Sequence, residues 1–294
     1  MLEKRRPAKS AFYFLCYLGF MIRKSVTING LKLSYLENDT NSTEIIFFIH
    51  GNSGSARYWH KQYTDKALQG YRLIVFDLPA HGESDASPNL SDDYSLIGLG
   101  RTMMQAVLAI ATTGSSYVLV GLSLGTNIIA EMLAHKQVSP KGIVLISSCI
   151  AGGEFTPDKI FKTEVDLSFF FTDKPDEKLV KAGFAAVLSN LEEQKAGLKD
   201  YYQVKLPFRS TLAKSVAHGE LSDEIALVRE FKGNVLVVFG IDEVSVNPDY
   251  LDYVGLPVWR NRIEKLPGNH IVNIDSPAEV NALLRQYCQE NLLQ

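Results

Sequence analysis

The chain has 294 residues, of which 46% are hydrophobic and 21% charged, so it can bury a large core as one or two domains, as an ordinary soluble globular protein does. A formal net charge of -3 without runs of like charges excludes a basic nucleic-acid-binding surface and favours a small-molecule partner. The cysteines, Cys16, Cys149 and Cys288, are far apart and form no CxxC pair, which argues against a disulfide framework or a zinc site. We therefore expect a reducing compartment, the cytoplasm, and no metal or cofactor.

The first residues are the compositional exception. In "EKRRPAKSAFYFLCYLGFMIRK" basic residues precede a short apolar run, and Arg23 and Lys24 follow it. The run is short for a membrane span, and no small-residue cleavage site follows. We treat residues 1-24 as an N-terminal extension: a helix packed on the body, a membrane-associating or export segment, or sequence upstream of a start at Met21. Membrane contact is expected only through this extension.

A hairpin and five buried strands follow in chain order. "SVTINGLKLSYLE" alternates with period two around Asn29-Gly30, which predicts a hairpin. "IIFFIH", "RLIVFD", "YVLVG", "GIVLIS" and "NVLVVFG" are continuous apolar runs, which is typical of parallel strands buried on both faces. Helix-like stretches, including Ser95 to Ala111 and Thr126 to His135, lie between them. The order predicts an α/β fold with a mostly parallel central sheet flanked by helices.

The strand pattern breaks between about Gly152 and Lys232, where helical, aromatic-rich segments dominate. A helical insertion after the sixth strand predicts a cap over the carboxyl edge of the sheet, where such sheets bind ligands. We expect a core at 25-152 and 221-294 and a cap at 153-220. The cap aromatic residues either line a slot for an acyl chain or pack the cap's own small core; they are Phe169, Phe170, Phe171, Phe184, Tyr201 and Tyr202.

One serine stands at a strand-to-helix corner. In "YVLVGLSLGTNIIAEMLAH", Ser123 follows a predicted strand and precedes a predicted helix. A turn this sharp strains the Ser123 backbone and projects its Oγ from the edge of the sheet. Gly121 and Gly125 are expected because a Cβ two residues before or after the corner would clash. The G-x-S-x-G string is weak evidence alone, and its place between strand and helix makes Ser123 the candidate nucleophile.

A serine nucleophile needs a base that is itself oriented by a carboxylate. Asp242 and Glu243 end a buried strand in "NVLVVFGIDEVSV", and His270 lies in a Pro-Gly-Asn loop before the last helix. The order serine, acid, histidine is the order expected for a serine hydrolase of this type. The remaining histidines have no carboxylate at a matching strand end and are interpreted as structural; they are His50, His60, His81, His135 and His218.

Small residues follow the third strand in "FFIHGNSGSARYW". They leave backbone N-H groups exposed, and the amide of Asn52 is expected to join that of Leu124 in an oxyanion hole. The phosphate-loop interpretation of "GNSGS" fails, because the G-x-x-x-x-G-K-[ST] pattern and its lysine are missing.

Together these segments resemble the α/β-hydrolase superfamily over about Ser25 to Leu293. The matching pieces are "HGNSGS", "DLPAHGES", "GLSLGT", "GIDE" and "GNH", in the family's order. The resemblance implies Ser123 as nucleophile, His270 as base and Glu243 as acid, with Asp242 as the alternative one residue away. Ala80, Asn269 and Thr126 stand where the family often has smaller residues. The subgroup most similar in these motifs is that of the α/β-fold N-acyl-homoserine lactonases, although Leu124 stands where that subgroup tends to have a bulky aromatic residue.

The resemblance implies a serine hydrolase that cleaves a carboxylic ester or lactone, an N-acyl-homoserine lactone among the candidates, through an acyl-enzyme. Serine at the corner excludes the family's epoxide hydrolases and haloalkane dehalogenases, which need a carboxylate there. Thioesterases, amidases, carbon-carbon bond hydrolases and cofactor-free perhydrolases of the same fold stay open. A different class of alternative is a ligand-binding receptor that keeps a vestigial triad.

Overall fold

A computed structural model describes residues 21–293, and eight strands of this part form one sheet in the order β1-β2-β4-β3-β5-β6-β7-β8. Only β2 runs against the other strands, so the expected mostly parallel sheet is confirmed. The strands are β1 (Met21–Ile28), β2 (Leu31–Asn38), β3 (Glu44–Ile49), β4 (Arg72–Phe76), β5 (Ser116–Leu122), β6 (Gly142–Ile146), β7 (Asn234–Gly240) and β8 (Glu264–Leu266).

Apolar side chains of the strands fill a hydrophobic core on each face of the sheet. In β3, Ile45, Phe47 and Ile49 pack in one core, and Ile46 and Phe48 pack in the other. Both faces need cover, which the helices supply. They are α1 (His60–Tyr63), α2 (Leu90–Asp93), α3 (Leu96–Ile110), α4 (Leu124–Ala134), α5 (Pro157–Ile160), α6 (Glu177–Val187), α7 (Leu191–Gln203), α8 (Phe208–Ala217), α9 (Glu224–Glu230), α10 (Val272–Asp275) and α11 (Pro277–Leu292).

The first hairpin begins earlier than its sequence pattern indicates. Its turn lies at Asn29 and Gly30, as expected, and both have positive φ. Residues 1–20 of the expected extension lie outside the described residues, whereas its last four residues pair with residues 35–38 of β2. Arg23 forms an ion pair with Asp77, because β1 is an exposed edge strand whose basic side chains reach carboxylates across the sheet. No helix within residues 21–293 is both long and apolar enough to span a membrane.

The segment between β6 and β7 contains α5 to α9 and a short 3-10 helix, Ser168–Phe171. Helix α9 packs against α4 of the core, whereas α8 packs against the 3-10 helix. Residues of this insertion line one cavity together with Leu122, the last residue of β5, so the insertion lies over the edge of the sheet at which β5 ends.

Candidate active site

Ser123 occupies the turn between β5 and α4 in a conformation that L-residues rarely adopt, with φ 51° and ψ -121°. The turn is permitted by the glycines on either side. A Cβ on Gly121 would lie 2.6 Å from the backbone of Gly125, and a Cβ on Gly125 would lie 2.3 Å from the Ile49 oxygen. The amide of Ser123 donates to the Ile146 oxygen over 2.9 Å, which ties the turn to β6.

The structure brings Ser123, His270 and Glu243 together in one hydrogen-bonded series. His270 Nε2 lies 2.9 Å from Ser123 Oγ, and His270 Nδ1 lies 2.8 and 3.0 Å from the two oxygens of Glu243. An ionised carboxylate only accepts, so chemistry assigns the imidazole proton to Nδ1. Nε2 is then free to accept the Ser123 hydroxyl proton. This is the arrangement that a general base for a serine nucleophile requires.

Glu243 is 2% exposed and also accepts hydrogen bonds from the amides of Ser245 and Val246, over 2.7 and 3.3 Å. Burial raises the pKa of Glu243, but the charge that His270 carries when protonated, the hydrogen bond from His270 and the two amide hydrogen bonds lower it by more, so the pKa lies below its ordinary value. The carboxylate is therefore ionised at neutral pH. Asp242, the alternative acid, has an exposed side chain, and the structure brings Glu243 to the imidazole instead.

The loop after β3 lies directly against the Ser123 turn. A Cβ on Gly51 would lie 3.2 Å from the Cβ of Ser123. Within the described part of the chain, the backbone amides of Asn52 and Leu124 donate no hydrogen bond. The next amide, that of Ser53, instead donates to His81 Nε2 over 3.1 Å. Two unpaired amides beside the Ser123 hydroxyl are what an oxyanion hole needs.

A cavity of about 470 Å³ opens above Ser123, between the edge of the sheet and the cap. Its wall is almost entirely apolar, and cap residues Phe170, Leu212 and Ala213 contribute to it. Within the described part of the chain, Asp158 is the one charged carboxylate of the lining, and no lysine or arginine lines it. An uncharged apolar group is the ligand that such a cavity accommodates.

Five of the six cap aromatic residues divide between the two roles left open above, whereas Tyr202 is exposed and fits neither. Phe169, Phe184 and Tyr201 are fully buried and pack on one another, with ring centroids 5.8 to 6.1 Å apart. Phe170 and Phe171 line the cavity. The first group stabilises the cap, and the second contacts any bound ligand.

A polar cluster behind Ser123 carries no sequence signal. Glu224 is fully buried at the start of α9, and its Oε2 accepts from Asn127 Nδ2 and from the Ala151 amide, each over 2.7 Å. Its Oε1 has no partner among the described residues. Asn127 and Cys149 line the cavity, so this cluster forms part of its floor. Burial is the main cause that raises the pKa of Glu224 to about 8.

Glu224 should make stability pH-dependent. Its ordinary pKa is 4.5, so between about pH 5 and pH 8 the folded chain holds a proton that the unfolded chain has lost. The free energy of unfolding should therefore fall as pH rises through this window, by up to about 1.4 kcal/mol per pH unit from this group. Glu224→Gln, which mimics the protonated form, should gain stability relative to wild type as pH rises. Urea denaturation across this range measures it.

The control for this prediction is Glu230→Gln, at the exposed far end of the same helix. The free energy of unfolding of Glu230→Gln should depend on pH in the same way as that of wild type. Parallel profiles for Glu224→Gln and wild type would contradict the protonated state of Glu224.

Comparison with known proteins adds a family and several similar folds. Residues 44–251 match the family described as alpha/beta hydrolase fold. Protein ABHD8 of Mus musculus is 26% identical over an alignment of 255 residues, which covers 83% of the chain and 54% of that protein. The chain thus spans about half the length of the curated relatives it matches.

Two solved structures illustrate the shared fold. A mutant of N-acyl homoserine lactonase AidH, complexed with N-hexanoyl homoserine lactone, superposes with a TM-score of 0.83 at 20% identity, covering 92% of this chain and 98% of that one. Esterase RhEst1 from Rhodococcus sp. ECU1013 gives a TM-score of 0.69 at 20% identity, covering 92% and 99%. At this identity the likeness establishes the fold alone.

Proposed function

Because the chain belongs to the alpha/beta hydrolase family, we propose that it is a serine hydrolase that cleaves a carboxylic ester or lactone through an acyl-enzyme. The observation that carries the proposal is the series of hydrogen bonds from Ser123 through His270 to Glu243, at the mouth of an apolar cavity. A candidate substrate is an N-acyl homoserine lactone, since one structural neighbour was solved with such a molecule.

The proposed reaction proceeds in two acyl transfers. His270 Nε2 takes the Ser123 proton as Oγ attacks the acyl carbonyl carbon, and the amides of Asn52 and Leu124 hold the resulting oxyanion. The bond to the leaving alcohol then breaks, and the alcohol takes the proton from His270. Water attacks the acyl-enzyme in the same way, giving its proton to His270, and Ser123 Oγ leaves with that proton.

The environment of the cysteines supports a cytoplasmic location. Cys149 and Cys288 are buried free thiols, which fits a reducing compartment. We also keep the division into a core at 25-152 and 221-294 and a cap at 153-220 as part of the proposal, with the core extended back to Met21, where β1 begins.

Acyl-chain preference tests the proposal. A fluorophosphonate probe should label the protein, and p-nitrophenyl esters and lactones should be turned over. Because each buried methylene contributes about 0.8 kcal/mol, kcat/KM should rise about fourfold per added methylene until the cavity is full. Esters with a terminal carboxylate should be poor substrates, since no cation among the described residues lines the cavity. Labelling without turnover on any ester or lactone would favour the receptor alternative.

A bulky residue in the cavity should shift this preference. Ala213→Trp fills part of the space and should reduce kcat/KM for the longest good ester while sparing the shortest. Lys214→Trp, at the adjacent exposed position on α8, is the matched control and should leave the chain-length profile unchanged. Identical profiles for both variants would place the acyl chain elsewhere.

A further inference from the structure

We propose that Arg209 and Ser53 are positioning residues that couple docking of the cap to the geometry of the oxyanion hole. The inference rests on the proposed function, because it concerns the Asn52 amide that holds the oxyanion there. Neither side chain lines the cavity, so each acts through Asn52 rather than on the substrate.

Arg209, on cap helix α8, is 3% exposed and forms no ion pair within the described chain. Its guanidinium donates to two cap carbonyls, those of Thr172 and Tyr201, each over 3.1 Å. It also lies 4.0 Å above the centre of the Tyr201 ring. Among residues 21–293, its one hydrogen bond to the core runs from Nη1 to Ser53 Oγ over 3.3 Å. A buried cation is costly unless its donors are satisfied, so its placement against the loop after β3 calls for a specific role.

Ser53 links this cation to the proposed oxyanion donor. It is fully buried with φ 58°, a left-handed conformation that is strained for serine. Its Oγ accepts from Arg209 and donates to Asn52 Oδ1 over 3.0 Å. On its other side, His81 accepts the Ser53 amide at Nε2 and donates from Nδ1 to the Pro79 oxygen. Burial, with the neighbouring His50, keeps the pKa of His81 well below its ordinary value, so the imidazole is neutral and able to accept.

Asn52 has a second, direct bond to the cap. Its Nδ2 donates to the Phe170 oxygen over 2.8 Å. Both ends of the Asn52 side chain are therefore fixed, one by Ser53 with Arg209 behind it and the other by the 3-10 helix that carries Phe170. While the side chain makes these contacts with the cap, the backbone amide of Asn52, which is the proposed oxyanion donor, keeps its orientation. Movement of the cap to admit a substrate would loosen Asn52, and closure over the substrate would restore it. Oxyanion stabilisation would thus accompany closure.

The test compares Ser53→Ala and Arg209→Lys with wild type. Because the oxyanion is absent from the bound substrate and develops in the tetrahedral intermediate and the transition states that flank it, both variants should lower kcat about 10- to 100-fold with little change in KM. Affinity for an alkyl trifluoromethyl ketone, whose adduct with Ser123 carries an oxyanion, should fall by the same factor. Binding of a primary alcohol with the same alkyl chain, which fills the cavity without an anionic oxygen, should not change.

The matched control is Arg57→Met, which breaks a different contact between core and cap. Arg57 bonds Asp200 and Glu193 of cap helix α7, over 2.8 and 2.9 Å, and touches neither Asn52 nor Ser53. Its loss should lower the melting temperature without reducing affinity for the ketone. If Arg57→Met lowers both kcat and affinity for the ketone as much as Ser53→Ala does, general loosening of the cap explains the effect and the inference is wrong.

Unchanged kcat in Ser53→Ala, with an active wild type, would overturn the inference alone. A wild type that neither reacts with a fluorophosphonate nor turns over any ester or lactone would overturn the proposed function, and the inference with it. If Arg209→Lys does not fold, Ser53→Ala still tests the inference, because it removes the hydrogen bond between Arg209 and Ser53 by deleting a single oxygen atom.

Discussion

Ser123→Ala should reduce ester or lactone turnover by about 10⁴-fold or more and abolish fluorophosphonate labelling. The hydroxyl is the one group 2.9 Å from His270 Nε2 on a backbone that projects it into the cavity, and alanine supplies no nucleophile. The fold should survive, because alanine meets the same backbone strain as serine. Initial rates measure the loss of turnover, and thermal denaturation measures whether the fold is retained.

The control is Ser148→Ala, another buried serine, which lies just beyond β6. Its hydroxyl lies 3.5 Å from Thr126 Oγ1 and also interacts with the Tyr250 hydroxyl, and its removal should change turnover by less than about tenfold, as expected for weak hydrogen bonds that do not involve His270. Wild-type turnover by Ser123→Ala would reject the proposed mechanism.

Glu243→Gln should lower kcat/KM by about 10⁴-fold at neutral pH. A glutamine amide facing His270 donates a hydrogen bond, which favours the tautomer with the proton on Nε2. That proton then points at Ser123, and the imidazole cannot accept from the hydroxyl. Steady-state kinetics on a p-nitrophenyl ester, with the rate of fluorophosphonate labelling as a second readout, would measure the loss.

Asp242→Asn is the matched control for the acid, one residue away and exposed. It removes a carboxylate of similar charge without touching the imidazole, so kcat/KM should stay within about threefold of wild type, as for most surface changes. A larger loss for Asp242→Asn than for Glu243→Gln would show that the loop after β7 presents the other acid during turnover.

The sequence predicted those parts of the site that depend on local geometry. The strand before Ser123 and the helix after it have clear apolar periodicity, and the need for Gly121 and Gly125 follows from the turn between them. The order of strands and the insertion after β6 follow from the same patterns, because continuous apolar runs have few other places in a soluble fold.

Long-range contacts could not be predicted in the same way. Which of Asp242 and Glu243 faces His270 depends on how the loop after β7 turns. A shift of the loop by one residue would exchange the two side chains. Glu224 gave no signal, because its partner Asn127 lies 97 residues away in the chain. The start of β1 at Met21 was missed because basic residues on an exposed edge strand show no apolar alternation.

The chain leaves the sheet after β6 to form the cap, and it returns to the sheet in β7. Strand β7 is the immediate neighbour of β6, with Ile146 directly opposite Val238. The inserted segment lies within the crossover from the end of β6 to the start of β7 at Asn234, which is opposite Gly142 at the far end of β6, and the strands next to the nucleophile and the acid pair with one another without it. Diversification of substrate range can therefore proceed by replacing this module while the scaffold stays constant. A transplanted module that keeps the proposed link to the oxyanion hole would have to reproduce the Phe170 carbonyl and the Arg209 guanidinium, since those two groups bond Asn52 and Ser53 of the core.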